Sequence, residues 1–181
     1  MYKTECKEQV WPDGVLRSTV DAAIKKIDLG NSRVSYDSIK NELQTLRQLR
    51  HPNIVSLYTA FVLPKTEILW IVMGLAESGS TLDALRWRMK KKMGPYEETT
   101  IATILFYTLH GLDYLHKRGM IHRDVKVENI MLDGAGHVKL IDFGLACELR
   151  GFEEPVSPTG SLIYMAPEMI RDNMGGRHTD W

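Results

Sequence analysis

"IHRDVKVENIML", residues 121–132, sets His122, Arg123, Asp124, Lys126 and Asn129 within eight positions between apolar flanks. A buried charge is costly unless it is paired or bound to a metal. A strand or core helix would not gather these groups without partners, so the stretch is either a solvated loop or built to hold something. Downstream, "IMLDGAGHVKLIDFG" places strand-like runs at 130–132 and 137–141 around the turn signal "DGAG". A hairpin of that length folds the chain back and brings Asp142 close to Asn129, 13 positions earlier. A carboxylate and an amide oxygen together suit a hard cation such as Mg2+. Asp124 stands ready as a base, and Lys126 projects beside it to neutralise an anion. Base, metal ligands and cation in one cleft suit phosphoryl transfer, where positioning and charge neutralisation do most of the catalysis.

The composition excludes several other classes. Twenty-three basic and 23 acidic side chains cancel, which removes any general electrostatic case for nucleic-acid or membrane binding. The densest basic run, "RWRMKKK" at 86–92, has no aromatic platform around it and reads as a solvated helix end. Two cysteines, Cys6 and Cys147, make neither a disulfide framework nor a zinc spacing. No signal-peptide pattern and no membrane-span-length apolar run is present, so the expectation is a soluble, intracellular, cytoplasmic chain.

Periodicity divides the 181 residues into a strand-rich first part and a helix-rich remainder. "STVDAAIKKIDL" reads as a strand ending at the Gly30-Asn31-Ser32 turn signal. Tyr36, Ile39, Leu43, Leu46 and Leu49 recur at three and four, an amphipathic helix that "HPNI" closes. "NIVSLYTAFVL" and "EILWIVM" are two further strands joined at "PKTE", and "AESGS" reads as a flexible break between lobes. Helices follow near 81–91 and 97–117, the second ending at Gly119.

"HRDVKVEN", "DFG" (142–144) and "APE" (166–168), in this order and spacing, resemble the signature set of the protein kinases. "AAIKKI" resembles that family's strand-three lysine motif. The resemblance implies an α+β, bilobal kinase-like fold: a small β-rich N-lobe with one helix at 1–73, a hinge at 74–80, and an incomplete α-rich C-lobe at 81–181. It implies ATP and Mg2+ as cofactors. Lys25 would anchor the ATP phosphates and pair with Glu42, an acid at the edge of its helix's apolar face. Asp124 resembles the catalytic base, Lys126 the cation near the transferred phosphate, and Asn129 and Asp142 the metal ligands. Met73 corresponds to the gatekeeper. The Gly74 carbonyl and Ala76 N–H would meet the adenine edge, with Ala23 and Met131 on either face of the ring and Val10 at the trailing end of the phosphate loop.

Lysine two places after the base, and Ser161 where the family's Ser/Thr touches the Asp–Lys pair, imply Ser/Thr protein substrates. Ser157, or Thr159, falls where the family carries an activating phosphate, which Arg123 would clamp and an upstream kinase would install. Leu46, Leu57, His122 and Phe143 match the stacked spine of an assembled kinase, making His122 a packed histidine. "IATILFYTLHGLDYLHKRGMIHRDVK" is most similar to the sterile-type and germinal-centre branches.

The pattern departs from the family at both ends. The glycine-rich loop should fall near residues 3–8, where "KTECKE" holds no glycine. "HTDW" resembles the start of the large lobe's central helix, with Asp180 bracing the catalytic loop, and the arginine partner of Glu168 is not in the sequence. An exposed apolar face on the 97–117 helix is therefore expected. Two readings remain open: a cut-short catalytic domain of an active Ser/Thr kinase, or an inactive isoform serving as a pseudokinase-like binding module.

Overall fold

The computed structural model describes residues 2–5, 21–30, 35–148, 160–165 and 167. Two compact units emerge, one from the N-terminal residues through Tyr36 with Ser56–Leu75, the other from Asp37–Val55 and the chain from Ala76 onward.

The first unit is a four-stranded antiparallel sheet of β1 (Tyr2–Glu5), β2 (Asp21–Asp28), β3 (Leu57–Val62) and β4 (Ile68–Gly74), in the order β1-β2-β4-β3. Alternation along β2 sends Ala22 and Ile24 to one face, where both are buried with Val72 of β4. Farther along that face Lys26 pairs in register with Trp70, its ammonium 4.5 Å over the indole. The β3–β4 turn closes with Leu63 N–H donating to Ile68 O at 3.0 Å, and Lys65 takes the left-handed φ of 62°. Part of the stretch where a glycine-rich loop was sought is β1 itself, paired with residues 21–24.

The second unit contains α1 (Tyr36–Gln48) from Asp37 on, α2 (Thr81–Lys90), α3 (Glu98–His116), the ribbon of β5 (Met120–Ile121) with β8 (Cys147–Glu148), and the hairpin of β6 (Ile130–Leu132) with β7 (Val138–Leu140). The buried face of α1 carries Ile39, Glu42, Thr45 and Leu46. Ser38 Oγ donates to Gly144 O at 3.2 Å and Asn41 Nδ2 to Ala146 O at 2.7 Å, which ties α1 to the chain after the "DFG". Buried Asn53 bonds both ways to β7, donating to Val138 O at 2.9 Å and accepting from Leu140 N–H at 2.9 Å. Gly111 of α3 faces that junction; a side chain there would crowd Leu140 and the Asn53 carbonyl.

"AESGS" begins where the two units divide, at Ala76, and hydrogen bonds hold it. Ser80 caps α2 in a capping box with Asp83, Ser78 N–H donates to Leu132 O, and Leu132 N–H donates to Gly79 O. Glycine and serine here supply cap chemistry and a left-handed φ of 76° at Gly79, and hydrogen bonds to the distant β6 fix the segment.

The long helix shows the exposed apolar face expected of it. Ile101, Leu105, Phe106 and Leu109 are 44–55% exposed, while Leu112 and Leu115 are buried. Gly119 takes φ 68° just beyond the helix. No helix among the described residues is long and apolar enough to cross a membrane.

Candidate active site

The β6–β7 hairpin assembles the site. Ile130 pairs with Leu140 and Ile141 N–H donates to Asn129 O at 3.0 Å, so Asp142 follows directly from a residue bonded to Asn129. On the other side of Asn129, its N–H donates to Lys126 O at 2.9 Å and tightens the 126–129 turn. Thr81, in the first turn of α2, donates its hydroxyl to Val127 O at 2.8 Å and buttresses the same turn. Two non-glycine residues in the left-handed region bracket the cluster, Arg123 at φ 67° and Asp142 at φ 64°. Such backbone costs on the order of 1–3 kcal/mol and persists only where its surroundings over-determine it.

Asp124 is the hub. Lys126 Nζ donates to Oδ2 at 2.6 Å and Asn129 Nδ2 to the same oxygen at 2.9 Å. Ser161 donates to Oδ1 twice, from its N–H at 3.1 Å and its hydroxyl at 3.0 Å. Four donors therefore fill the roughly four acceptor positions of a carboxylate. Lys126 Nζ also reaches Ser161 Oγ at 3.0 Å, which closes a ring through the three side chains. With Asn129 Nδ2 also donating to Asp124 O at 2.9 Å, the amide oxygen of Asn129 is the atom presented for a cation.

Below the hub, His122 and Phe143 are both fully buried, ring centroids 4.9 Å apart. His122 Nε2 lies 2.9 Å from Ile141 O and its Nδ1 accepts from Asp124 N–H at 3.3 Å. A carbonyl on one nitrogen and an N–H on the other fix a neutral ring with its proton on Nε2. The histidine supports the loop from beneath and holds no exchangeable proton toward the cleft.

Burial, the largest single influence on Asp124, pushes its carboxyl up; hydrogen bonds from Lys126, Ser161 and Asn129, with the Lys126 charge, together outweigh it and hold the carboxyl below the usual range. The bond to Asp124 in turn holds the Lys126 ammonium above its usual value. The signs follow by linkage. A depressed Asp124 contributes stability present above the unfolded carboxylate value and lost as pH falls through the folded one. A raised Lys126 contributes stability present below the unfolded lysine value and lost as pH rises through the folded one. Unfolding midpoints of wild type and Asp124→Asn, followed from neutral pH into acid, should converge as the pH falls; parallel curves would mean that Asp124 carries no such linkage.

The remaining predicted positions divide between the units. In the first, Ala23 is buried opposite Met73, Lys25 is half-buried opposite Ile71, and Gly74 N–H donates to Ser56 O at 2.9 Å. In the second, Glu42 is only 5% exposed on α1, Ala76 O accepts from Gly79 N–H, and Met131 lies opposite Lys139 in the hairpin. Arg123 Nε donates to Leu145 O at 2.6 Å. Leu46 and Leu57 are each buried. Val10, Ser157, Thr159, Glu168 and Asp180 lie outside the described residues. Sequence reasoning missed Thr81, Ser38 and Asn41, whose bonds run to backbone carbonyls far along the chain.

Comparisons with known proteins bear on the family and the fold. The model of the protein kinase domain matches residues 15–181. Germinal center kinase 3 of Caenorhabditis elegans is 37% identical over 84% of the chain, and serine/threonine-protein kinase fray2 of Dictyostelium discoideum 39% over 83%. Serine/threonine-protein kinase shk2 of Schizosaccharomyces pombe is 36% identical over 87%. The matches cover 28%, 14% and 26% of these relatives, so the chain spans less than a third of each. A chain in the crystal structure of the yeast RNA Pol II CTD kinase CTDK-1 complex shares the fold, with a TM-score of 0.71 at 24% identity over 83% of this chain and 47% of that one.

Proposed function

The chain belongs to the protein kinase family, and from that premise we propose that it carries the catalytic residues of a serine/threonine protein kinase, moving the γ-phosphoryl group of ATP to a protein hydroxyl. The observation that carries the reading is the closed hydrogen-bond set on Asp124. A carboxylate held ionised by Lys126, Asn129 and Ser161 becomes a proton acceptor when one of these donors gives up its place. An incoming hydroxyl must take one of those four positions. Ser161's own hydroxyl is the cheapest to displace, being neutral, rotatable and already bonded to Lys126 as an acceptor. The substrate oxygen attacks the γ-phosphorus as its O–H bond breaks and the proton passes to Asp124; the bond from that phosphorus to the β–γ bridging oxygen breaks, ADP leaves with its electron pair, and Lys126 stands where charge on the transferred group would meet an ammonium.

Mg2+ fits the donor set. Among the described residues no group of three or more His, Cys, Asp or Glu converges. Asn129 and Asp142 supply hard oxygens, and a cation that takes few protein ligands and completes its shell with phosphate and water matches such a site. When bound, it neutralises charge on the phosphates. Lys25, paired with Glu42, would hold the α- and β-phosphates; Ala23, Met73, Gly74, Ala76 and Met131 would surround the adenine, and Val10, the trailing valine of the phosphate loop, belongs to the same ATP-binding set. Phosphate on Ser157, or Thr159, would meet the terminal nitrogens of Arg123. Domain limits of 1–73, 74–80 and 81–181, a cytoplasmic location and an upstream activating kinase belong to the same reading.

The test is thermal unfolding of the chain titrated with Mg2+ and ATP beside Asp142→Asn. At a hundredfold excess over the dissociation constant, binding to the folded state adds about 2.7 kcal/mol, on the order of 5–10 °C for a domain of this size. The wild type should show this shift only with Mg2+ present, and the variant should lose it. A cooperative transition that nucleotide leaves in place would instead favour the binding-module reading.

A further inference from the structure

We propose that Gly160 is a positioning residue for the transfer reaction: its bare α-carbon lets the chain lie against the Arg123 carbonyl, and this approach seats both donors of Ser161 on Asp124, on the reading of Asp124 as the base. Gly160 has φ 112°, a backbone region that L side chains rarely adopt. A Cβ there would run into the Arg123 carbonyl oxygen and lie 3.6 Å from that carbonyl carbon and 3.7 Å from Asp124 Oδ1. The obstacle is main chain, so no side-chain rotation relieves it.

Arg123 has little room to yield. Its own φ is 67°, its Nε is bonded to Leu145 O at 2.6 Å, and the next N–H is bonded to His122 Nδ1 at 3.3 Å. His122 is in turn bonded to Ile141 O and packed on Phe143. Any side chain at 160 must therefore push the 160–161 segment outward. Ser161 N and Oγ, now 3.1 and 3.0 Å from Oδ1, would both leave it, and Lys126 Nζ would lose the Ser161 oxygen it reaches at 3.0 Å. Gly160 touches no reacting atom; it acts on the base through Ser161.

Exchange of the Ser161 amide, followed by NMR in wild type and Gly160→Ala, tests the assignment. The amide should be protected in the wild type, where it is bonded to Asp124 Oδ1, and should lose that protection in Gly160→Ala while the amides of α3 keep theirs. A uniform loss of protection, as a merely structural glycine would give, or a Ser161 amide left protected in Gly160→Ala would overturn the proposal. Should Gly160→Ala fail to fold, the wild type decides: protection of the Ser161 amide that Asp124→Ala abolishes supports the seating, and exchange at the rate of an open loop overturns it. Peptide phosphorylation by the wild type separates the two readings: a protected amide without any phosphorylation supports the seating while removing the assignment of Asp124 as the base.

Discussion

Asp124→Asn should lower peptide phosphorylation by about two to four orders of magnitude, the usual contribution of a positioned general base, while the Mg2+-dependent ATP shift remains. The substitution keeps the side chain's shape and removes its capacity to take a proton. It also reverses half of the hydrogen-bond polarity at the hub. One side of Asp124 receives Lys126 and Asn129, the other receives the N–H and hydroxyl of Ser161, and all four are donors. An amide offers one oxygen and one NH2, so whichever way it turns, donors face donors on one side. If the oxygen keeps Lys126 and Asn129, the Ser161 hydroxyl can rotate to accept, but the Ser161 N–H cannot. A buried donor left unsatisfied costs about 1–3 kcal/mol, so the unfolding midpoint should fall as well. Rates and midpoints measured on the same preparation separate the effects. A variant that phosphorylates within a few-fold of wild type would sink the assignment of Asp124 as the base, whatever its stability.

Much of this site was legible because its geometry is local. The hairpin around "DGAG" follows from two short alternating runs and a turn, and its pairing alone carries Asp142 back to Asn129. Glu42 was legible at the edge of its helix's apolar face, where taken alone it reads as a solvated charge and only the family resemblance gives it a partner; it is buried. "AESGS" was legible as a break between units but not as a bonded segment, because its partners are remote: Ser78 bonds to Leu132 and Asp133, more than 50 residues away, and composition reports only that glycine and serine permit many conformations. Gly160 shows the same limit from the other direction. In the sequence it is one glycine in a polar loop; its meaning depends on where the Arg123 carbonyl lies, a fact of tertiary packing. The division into units also follows from long-range bonds, since Ser38 and Asn41 tie α1 to Gly144 and Ala146 across more than 100 positions.

Phe143→Ala should be the most damaging single substitution for stability, costing about 3–5 kcal/mol as expected for truncating a fully buried aromatic, on the order of 10 °C in this chain. Phe143 has no exposed surface, and its ring packs 4.9 Å from that of His122. The residue before it, Asp142, is exposed and stands at φ 64°, a conformation that costs free energy. Burial of the Phe143 ring offsets that cost, because an Asp142 relaxed to ordinary backbone would redirect the chain that delivers the ring to its pocket. Without the ring, Asp142 loses its anchor and His122 loses a packing partner, while His122 is what accepts the Asp124 N–H. The damage should thus reach function, with the Mg2+-dependent ATP shift abolished even where the variant stays folded. Phe143→Leu retains most of the volume and should cost less than about 1.5 kcal/mol, with the shift reduced rather than lost. Denaturant unfolding and nucleotide titration of both variants give the answer: an alanine variant that loses stability but still binds Mg2+ and ATP normally would show that the pocket of Phe143 and the pose of Asp142 are independent.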